Sequence, residues 1–393
     1  MLNFNYRAPT RLIFGKGAQH KVGETLKPLT QKLLLHYGGQ SVKKSGLYDE
    51  VVASLKGAGV SFVELGGAVP NPRLSLVHEG IDLCRREGVD MILAVGGGSA
   101  IDSAKAIALG FYHEGDVWEI YAGEKKPQKA LPVATVLTIP AAGSEASPSS
   151  VITNEALQIK KGHTTELIQP VVSFINPELF FTLPKSQMGY GVADMMSHIF
   201  ERYFTQTIHT DLTDALCEGT LRTILKNAPL LVDNPQDYDA WFEIGFAGTI
   251  AHINLLGLGR AQDWGCHDME HELSAIYDVA HGGGLAVLTP SWMRYVYKEN
   301  VGMFVQFAVN VMGVEGSYRE PDAIVEEGIA RLQAFFRRLG LPTTLRELGI
   351  GEENLELMAK KATEVAYGKE ERRIGGFKKL GWQDVLNIYH LAQ

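Results

Sequence analysis

Cysteine is scarce in this sequence, and its spacing forms no pair. Only 3 cysteines occur in 393 residues, at Cys84, Cys217 and Cys266, and they form no CxxC motif. An odd, scattered set excludes a disulfide scaffold and is typical of a reducing compartment. We therefore expect a cytoplasmic protein.

Long apolar runs and an excess of basic residues are also missing. No run approaches the roughly 18 apolar residues that cross a bilayer. The opening residues MLNFNYR lack the basic segment and apolar core of a signal peptide. Acidic residues exceed basic ones, 45 to 37, for a formal net charge of −8. This balance disfavours nucleic acid as a partner, so we expect a small-molecule ligand and no membrane association.

Strand-like runs alternate with helical stretches in the first half of the chain. Short β-branched runs cover 32–37, 61–65, 91–95, 132–137 and 171–175, and helical spacing appears near 45–58, 73–87 and 100–111. Nearly continuous apolar runs are typical of strands buried on both faces of a parallel sheet. The alternation predicts a Rossmann-like α/β domain.

The second half reads as helical throughout. After the prolines Pro177 and Pro184 no strand run is convincing, and amphipathic stretches lie near 186–204, 211–231, 238–256, 266–277, 322–339 and 353–366. Proline clusters punctuate such changes. We predict an α/β dinucleotide-binding domain over residues 1–182 and an all-helical, metal-binding domain over residues 183–393.

Glycine is the informative excess, with 42 residues or about 11% against a typical ~7%. One cluster, Gly96-Gly97-Gly98-Ser99, joins an apolar strand to a helical stretch. Such a loop lets the backbone approach a ligand, and a helix N-terminus attracts a pyrophosphate. It is not the GxGxxG fingerprint. The alternative is a tight turn with Ser99 as the helix N-cap.

Two further loops of small polar residues follow strand-like runs. They are Tyr37-Gly38-Gly39-Gln40-Ser41 and the segment from Thr138 to Ser147. Ligands of open α/β sheets bind at the carboxyl ends of strands. Each loop alone could be an ordinary connection, but three together favour nucleotide binding.

Histidine and carboxylate residues cluster at helical spacing in the second half. Asp194 and His198 stand four residues apart, His267 and His271 repeat that spacing, and His281 follows. Residues at i and i+4 share a helix face. Imidazole and carboxylate ligands suit Zn²⁺ or Fe²⁺.

The segment His267-Asp268-Met269-Glu270-His271 also spells H-x-x-E-H, the inverted zincin motif. In that interpretation His267 and His271 would bind zinc and Glu270 would activate water. A peptidase of this kind leaves the glycine loops and Asp194 without a purpose. Otherwise we expect Glu270 to have no chemical task and to lie at a helix surface or in a structural role.

Taken together, these motifs resemble the iron-dependent alcohol dehydrogenase family. The resemblance rests on four elements and covers essentially the whole chain: Gly96-Gly97-Gly98-Ser99 with Asp102, Gly143-Ser144-Glu145, Asp194 with His198, and His267 with His271 and His281. Pro70-Asn71-Pro72, Gln262-Asp263-Trp264 and the Tyr37–Lys44 loop resemble its butanol dehydrogenase and broad-range aldehyde reductase branch.

The resemblance implies hydride transfer between a nicotinamide and a small primary alcohol or aldehyde, such as butanol or butyraldehyde. It implies one divalent metal, Fe²⁺ with Zn²⁺ as alternative, and a homodimer. Metal ligands would be Asp194, His198, His267 and His281, and His271 would lie near the nicotinamide and assist proton transfer. Cofactor-binding positions implied are Asn71, Gly97, Gly98, Ser99, Asp102, Thr138, Ser147, Lys160 and Thr182, with Lys161 able to replace Lys160.

The loop after the first apolar run predicts a preference for NADPH over NADH. NAD sites place an acidic side chain on the ribose 2′-hydroxyl, and here Gly38 and Gly39 stand there, with no acid until Asp49. Backbone N–H groups and Ser41 would face the extra phosphate, and Lys43 or Lys44 would add charge.

Two alternatives of other classes remain. Dehydroquinate synthase shares this architecture as a lyase, but it needs a basic pocket, and Arg202 and Arg260 are isolated in the sequence. A non-catalytic nucleotide-binding module would leave the ligand set unused.

Overall fold

The structure, a computed structural model, describes residues 1–317 and 319–393. It divides into two compact units. The first, here the α/β unit, comprises Arg7–Leu183 and Pro235–Gly245. The second, here the helical unit, comprises Met1–Tyr6, Pro184–Asn234 and Phe246–Gln393.

Parallel strands form the centre of the α/β unit. The strands are β1 (Arg11–Phe14), β2 (Lys32–Tyr37), β3 (Ser61–Leu65), β4 (Met91–Gly96), β5 (Val133–Leu137), β6 (Ser149–Asn154), β7 (Ile159–Thr164) and β8 (Val172–Ile175). Six of these described strands form one parallel sheet in the order β1-β8-β5-β4-β2-β3, and β6 and β7 pair as an antiparallel hairpin. The predicted Rossmann-like sheet is confirmed.

The runs chosen from the sequence coincide with β2, β3, β4, β5 and β8. The expectation missed β1 and the β6–β7 hairpin, whose short strands lie partly at the surface and lack a continuous apolar run. The core under the sheet is made by inward side chains of adjacent strands, among them Leu33, Leu93, Val136 and Phe174.

The helices, in chain order, are α1 (Val22–Leu26), α2 (Ser41–Lys44), α3 (Leu47–Gly57), α4 (Leu74–Glu87), α5 (Gly98–Tyr112), α6 (Trp118–Tyr121), α7 (Lys185–Tyr203), α8 (Asp211–Asp233), α9 (Tyr238–His252), α10 (Gly265–Tyr277), α11 (His281–Val296), α12 (Val301–Asn310), α13 (Pro321–Arg338), α14 (Leu355–Ala362) and α15 (Trp382–Leu391). Short 3₁₀ turns connect several of them, such as Pro177–Phe180 after β8. No described helix is both long and apolar enough to cross a bilayer.

The helical unit is built around α7 and α11. Aromatic side chains fill its core, with the Phe204 and Phe304 rings stacked at 4.4 Å and Trp292 and Phe377 beside them. Among described residues after 184 the only extended pairing is one isolated bridge, Ile374 with Leu380. The all-helical prediction therefore holds here, although α11, α12 and α15 were not foreseen.

Candidate metal centre and dinucleotide loops

Three helices of the helical unit bring the predicted metal ligands together. Asp194 and His198 lie one turn apart on α7, His267 lies in the first turn of α10, and His281 is the first residue of α11. The ligand atoms of Asp194, His267 and His281 all lie within 4.8 Å of one another. His198 Nδ1 lies 3.3 Å from the Asp194 Oδ1 atom.

A run of glycines allows His281 to reach this place. A Cβ atom on Gly282 would lie 2.0 Å from the Tyr190 carbonyl oxygen of α7, and one on Gly284 would lie 2.8 Å from Glu270 Cγ of α10. Only glycine permits such close helix approach. In the sequence, the run His281-Gly282-Gly283-Gly284 is the signal of this close approach.

The site is deeply buried except at one residue. The side chains of Asp194 and His198 are 7% and 6% exposed, whereas His281 is 26% exposed. Burial, with the nearby His252 and His267, holds the pKa of His198 well below its ordinary value. The ring is therefore neutral at pH 7 and offers a lone pair, as a metal ligand must.

One nitrogen of each of the three histidines lies within 4 Å of the Oδ1 atom of Asp194. Among described residues, His198 Nδ1 and His267 Nε2 are buried and lack a hydrogen-bond partner. Both His267 Nε2 and His281 Nε2 lie 3.9 Å from the same Asp194 oxygen. Buried polar atoms without partners are costly, and three imidazoles around one carboxylate fit Fe²⁺ or Zn²⁺.

Two glutamates outside the predicted ligand set contact histidines of the candidate site. The Nδ1 atom of His267 donates to Glu201, and the Nδ1 atom of His281 donates to Glu270. Burial alone would lower the pKa of His267, but the Glu201 carboxylate outweighs it and the pKa is raised. Of the two positions expected for Glu270, the helix surface is wrong, because its side chain is 0% exposed, and the structural role stays a prediction.

This contact also speaks against the inverted zincin arrangement. There Glu270 would have to reach a water molecule, but its carboxylate accepts from His281 and from Ser274 in the interior. His271 instead has its ring centre 6.4 Å from that of His267 and 5.9 Å from that of His281.

The two arginines near the site are engaged in structural contacts. Arg202 donates to the His198 carbonyl oxygen and to His252, and its guanidinium lies 4.7 Å from the Trp264 ring centre. Arg260 donates to backbone carbonyls and to the Asp214 carboxylate. Neither forms the basic pocket that the lyase alternative requires.

The predicted dinucleotide loops lie at one edge of the sheet of the α/β unit. Strands β2, β4 and β5 are neighbours, and Tyr37 pairs with Val95 while Gly96 pairs with Leu137. The loops after these strands, at Gly38–Ser41, Gly97–Ser99 and Thr138–Ser147, therefore emerge side by side. Thr182 lies beyond β8 in the same unit.

The glycine turn before α5 is as tight as the sequence suggests. Helix α5 begins at Gly98 with Gly97 as N-cap, so Ser99 is not the cap. A Cβ on Gly97 would lie 3.0 Å from Ile139 side-chain atoms, whereas one on Gly39 would meet nothing within 4 Å. A 15-residue helix whose first N–H groups face such a loop can accept a phosphate.

Other predicted cofactor residues contact one another. Lys160 Nζ donates to Asn71 Oδ1 at 3.0 Å, and both side chains are buried. Asp102 accepts from Ser144 Oγ at 2.5 Å and from the Val151 N–H at 2.9 Å. These contacts order the chain that follows the Thr138 loop.

A buried lysine that the sequence analysis did not predict stabilises the segment from Ser144 to Ser149. Lys105 on α5 is fully buried and donates to the carbonyl oxygens of Ser144, Ser147 and Ser149. Burial lowers its pKa to about 8, against the opposing effect of Asp102. The sequence indicates this burial, because Lys105 is the one charged residue in the otherwise apolar stretch Ala104–Ala108.

An acidic residue, Glu64, contacts Tyr37 at the start of the Gly38–Ser41 loop, from which we predicted NADPH. Glu64 on β3 accepts from Tyr37 Oη at 3.2 Å and from Tyr48 Oη at 2.7 Å. Lys43 lies over the rings of both tyrosines, 5.2 and 4.8 Å from their centres. The carboxylate comes from the neighbouring strand β3 and does not directly follow β2 in the sequence.

Comparison with known proteins places these features in a family. The profile described as "Iron-containing alcohol dehydrogenase" matches residues 9–177, and "Fe-containing alcohol dehydrogenase family, C-terminal" matches residues 189–393. A probable NADH-dependent butanol dehydrogenase of Bacillus subtilis is 44% identical over 388 residues, 99% of each chain. An NADPH-dependent aldehyde reductase of Escherichia coli is 36% identical over 93% of this chain and 94% of that protein. The crystal structure of an NADH-dependent butanol dehydrogenase of Thermotoga maritima superposes with a TM-score of 0.95 at 40% identity, covering 100% of this chain and 99% of that one.

Proposed function

The chain belongs to the iron-containing alcohol dehydrogenase family of oxidoreductases, and from that premise we propose the substrates and the residues that act on them. The substrate pair is a small primary alcohol and its aldehyde, with butanol and butyraldehyde as the first choice. The reaction is reversible hydride transfer between the nicotinamide ring and the aldehyde carbon. The observation that carries this proposal is the convergence of two histidine Nε2 atoms on one Asp194 oxygen, each at 3.9 Å.

We assign Asp194, His198, His267 and His281 as the ligands of one divalent metal ion. The family makes Fe²⁺ the first choice and leaves Zn²⁺ as the alternative. When bound, such an ion supplies Lewis acidity to a carbonyl or alkoxide oxygen. The partial exposure of His281 supports a site with access for a substrate, because catalytic metal sites keep one position open.

His271 is the residue to which we assign proton transfer. It lies on α10 one turn after His267, on the same helix face. Its ring lies near those of His267 and His281 without belonging to the Asp194 cluster. An imidazole changes its protonation state near neutral pH, which suits a group that delivers a proton to the product alkoxide.

Dinucleotide binding is assigned to the loops of the α/β unit. The backbone of Gly97, Gly98 and Ser99 at the N-terminus of α5 would receive the pyrophosphate. The remaining assigned positions are Gly38, Gly39, Ser41, Asn71, Asp102, Thr138, Ser147, Lys160 and Thr182. In functional terms residues 1–182 then bind the dinucleotide, and residues 183–393 bind the metal.

We further propose that the protein is cytoplasmic and acts as a homodimer. An exposed apolar patch in the helical unit supports self-association: Met1, Leu2, Phe4, Ile208 and Leu212. The two ends of this set lie together at Met1 and Ile208, because the Met1 amino group donates to the Ile208 carbonyl oxygen. Exposed patches of this kind mark interaction surfaces, and light scattering measures the mass in solution.

The test is turnover with butyraldehyde after reconstitution with Fe²⁺ or Zn²⁺. We expect metal-dependent oxidation of NADPH or NADH, followed by absorbance. His198→Ala should lose bound metal and turnover while it keeps dinucleotide binding, because the dinucleotide residues belong to the other unit. Full metal content in His198→Ala would contradict the ligand set, and no turnover with any small aldehyde would contradict the function.

A further inference from the structure

Two metal-site histidines have both ring nitrogens oriented by carboxylates. In His267 and His281 the Nε2 atom faces Asp194, and the Nδ1 atom donates to a buried glutamate on another element. Glu201 lies on α7 and accepts from His267 of α10. Glu270 lies on α10 and accepts from His281 of α11. Each glutamate therefore lies on a different helix from its histidine and earlier in the chain.

Each glutamate is fixed by a second contact. The Oε1 atom of Glu201 also accepts the backbone N–H of His267 at 3.1 Å. Glu270 also accepts from Ser274 Oγ, one turn further along α10. The side chains are 2% and 0% exposed. A carboxylate in such a place is stable only with its donors in position, so each is a rigid acceptor for one ring nitrogen.

A rigid acceptor at Nδ1 decides the tautomer of a neutral imidazole. With its proton on Nδ1, the ring carries its lone pair on Nε2, toward Asp194. The opposite tautomer would put the proton on Nε2, so that this nitrogen could not bind a metal ion, and the glutamate would lose its imidazole donor. The ring also cannot rotate without breaking the same bond.

We propose that Glu201 and Glu270 are positioning residues that fix the tautomer and orientation of His267 and His281, and thereby set the affinity for the metal ion. This inference rests on the metal site proposed above. It goes beyond that site because it assigns the role to two residues that do not belong to the ligand set. Partners of this kind typically change metal affinity by roughly ten- to a hundredfold.

The experiment compares Glu201→Gln, Glu270→Gln and Glu270→Ala as metal-free proteins titrated with Co²⁺ against a chelator. Glutamine keeps the shape and an acceptor oxygen but removes the charge, and alanine removes both. We expect Co²⁺ affinity to fall about tenfold or more for the glutamine variants and further for Glu270→Ala. The visible Co²⁺ spectrum should change in each variant, since it reports ligand geometry.

The matched control is Glu272→Gln. Glu272 lies on the same helix α10 and is also buried, but it pairs with Lys361 at 3.0 Å. The Co²⁺ affinity and the visible Co²⁺ spectrum of the Glu272→Gln variant should equal those of the wild type. Urea unfolding of the metal-free proteins identifies any variant that fails to fold, and the glutamine variants then decide the outcome.

The outcomes separate the two proposals. Wild-type affinity and spectrum in both glutamine variants would overturn the positioning role and leave the ligand set intact. Failure of the wild-type protein to bind Co²⁺ or Zn²⁺ would overturn the metal site and this inference together. An equal loss in Glu272→Gln would mean that any buried charge on α10 matters, and would also overturn it.

Discussion

At the scale of single residues, His271 differs from the other histidines of the site in what it should do. Its neighbour one turn back, His267, donates to Glu201, while His271 lies outside the Asp194 cluster and is half-buried. We expect His271→Ala to lower kcat about a hundredfold, the size typical of general acid–base catalysis, and to keep its metal. The measurements are kcat with butyraldehyde and metal content on the same preparation.

His271→Gln is the matched comparison, because it keeps a polar side chain without a titrating ring. Both variants should flatten the pH profile of kcat. A metal-free His271→Ala protein would instead show that His271 is a ligand.

The sequence predicted a cluster of Asp194 with histidines and missed the carboxylates that His267 and His281 contact, for a physical reason. Asp194 and His198 stand four residues apart, and this spacing alone puts them on one helix face. Glu201 is 66 residues from His267, so only the packing of α7 against α10 brings them together. An isolated glutamate in a helical stretch looks like a surface residue, and the error at Glu270 had this cause.

At the scale of elements, the loop after β2 and the strand β3 lie at the edge of the sheet that we expect to select the cofactor. The glycines Gly38 and Gly39 make room for a 2′-phosphate, but Glu64 brings a carboxylate to the same edge of the sheet. The loop predicts NADPH, while relatives with NADH-dependent and NADPH-dependent names both occur. The preference for NADPH therefore stays a prediction.

The prediction is measured as the ratio of kcat/KM for NADPH to that for NADH with one aldehyde. In the wild type this ratio should exceed one. Gly38→Asp should move the ratio toward NADH, because an added carboxylate repels the 2′-phosphate. Glu64→Gln should move it toward NADPH, because a negative charge is removed. A contact of about 2 kcal/mol corresponds to a roughly thirtyfold change.

Glu50→Gln on α3 is the control for charge alone, since Glu50 accepts from Gln19 rather than from the tyrosines. Equal ratios in all four proteins would show that this edge does not select the cofactor.

Elements with strong apolar runs were predictable, and elements without them were not. Every strand of the main sheet except β1 was found because parallel strands are buried on both faces. The β6–β7 hairpin carries Lys160 and Lys161 and has a half-exposed pattern, so no run reveals it. Its contact with another predicted cofactor position, Lys160 with Asn71, spans 89 residues of the chain.

At the scale of the whole molecule, a buried histidine makes folding sensitive to acid. His36 lies fully buried in β2, where its Nδ1 donates to the Leu65 carbonyl oxygen at 2.9 Å. Burial lowers its pKa from 6.5 to about 4. The unfolded chain binds this proton below pH 6.5 and the folded chain does not, so stability falls as pH drops from 6.5 toward 4.

We expect the metal-free wild type to lose about 2 kcal/mol more unfolding free energy than His36→Leu between pH 7 and pH 5. Urea unfolding at both pH values measures this difference. His20→Leu is the control, because His20 is an exposed histidine outside the sheet. The same pH dependence in His36→Leu and wild type would contradict the assignment.

Exchange of the α/β unit between relatives must include a segment far along the chain. Residues Pro235–Gly245 group with the α/β unit. There Trp241, 1% exposed, packs edge-on against Phe180, and the rings of Phe242 and Phe14 lie 4.6 Å apart. A chimera joined only at Leu183 would combine Phe14 and Phe180 of one parent with Trp241 of the other. A chimera that inherits both 7–183 and 235–245 from one parent keeps this interior whole, so recombination of these enzymes requires three junctions beyond residue 7 rather than one.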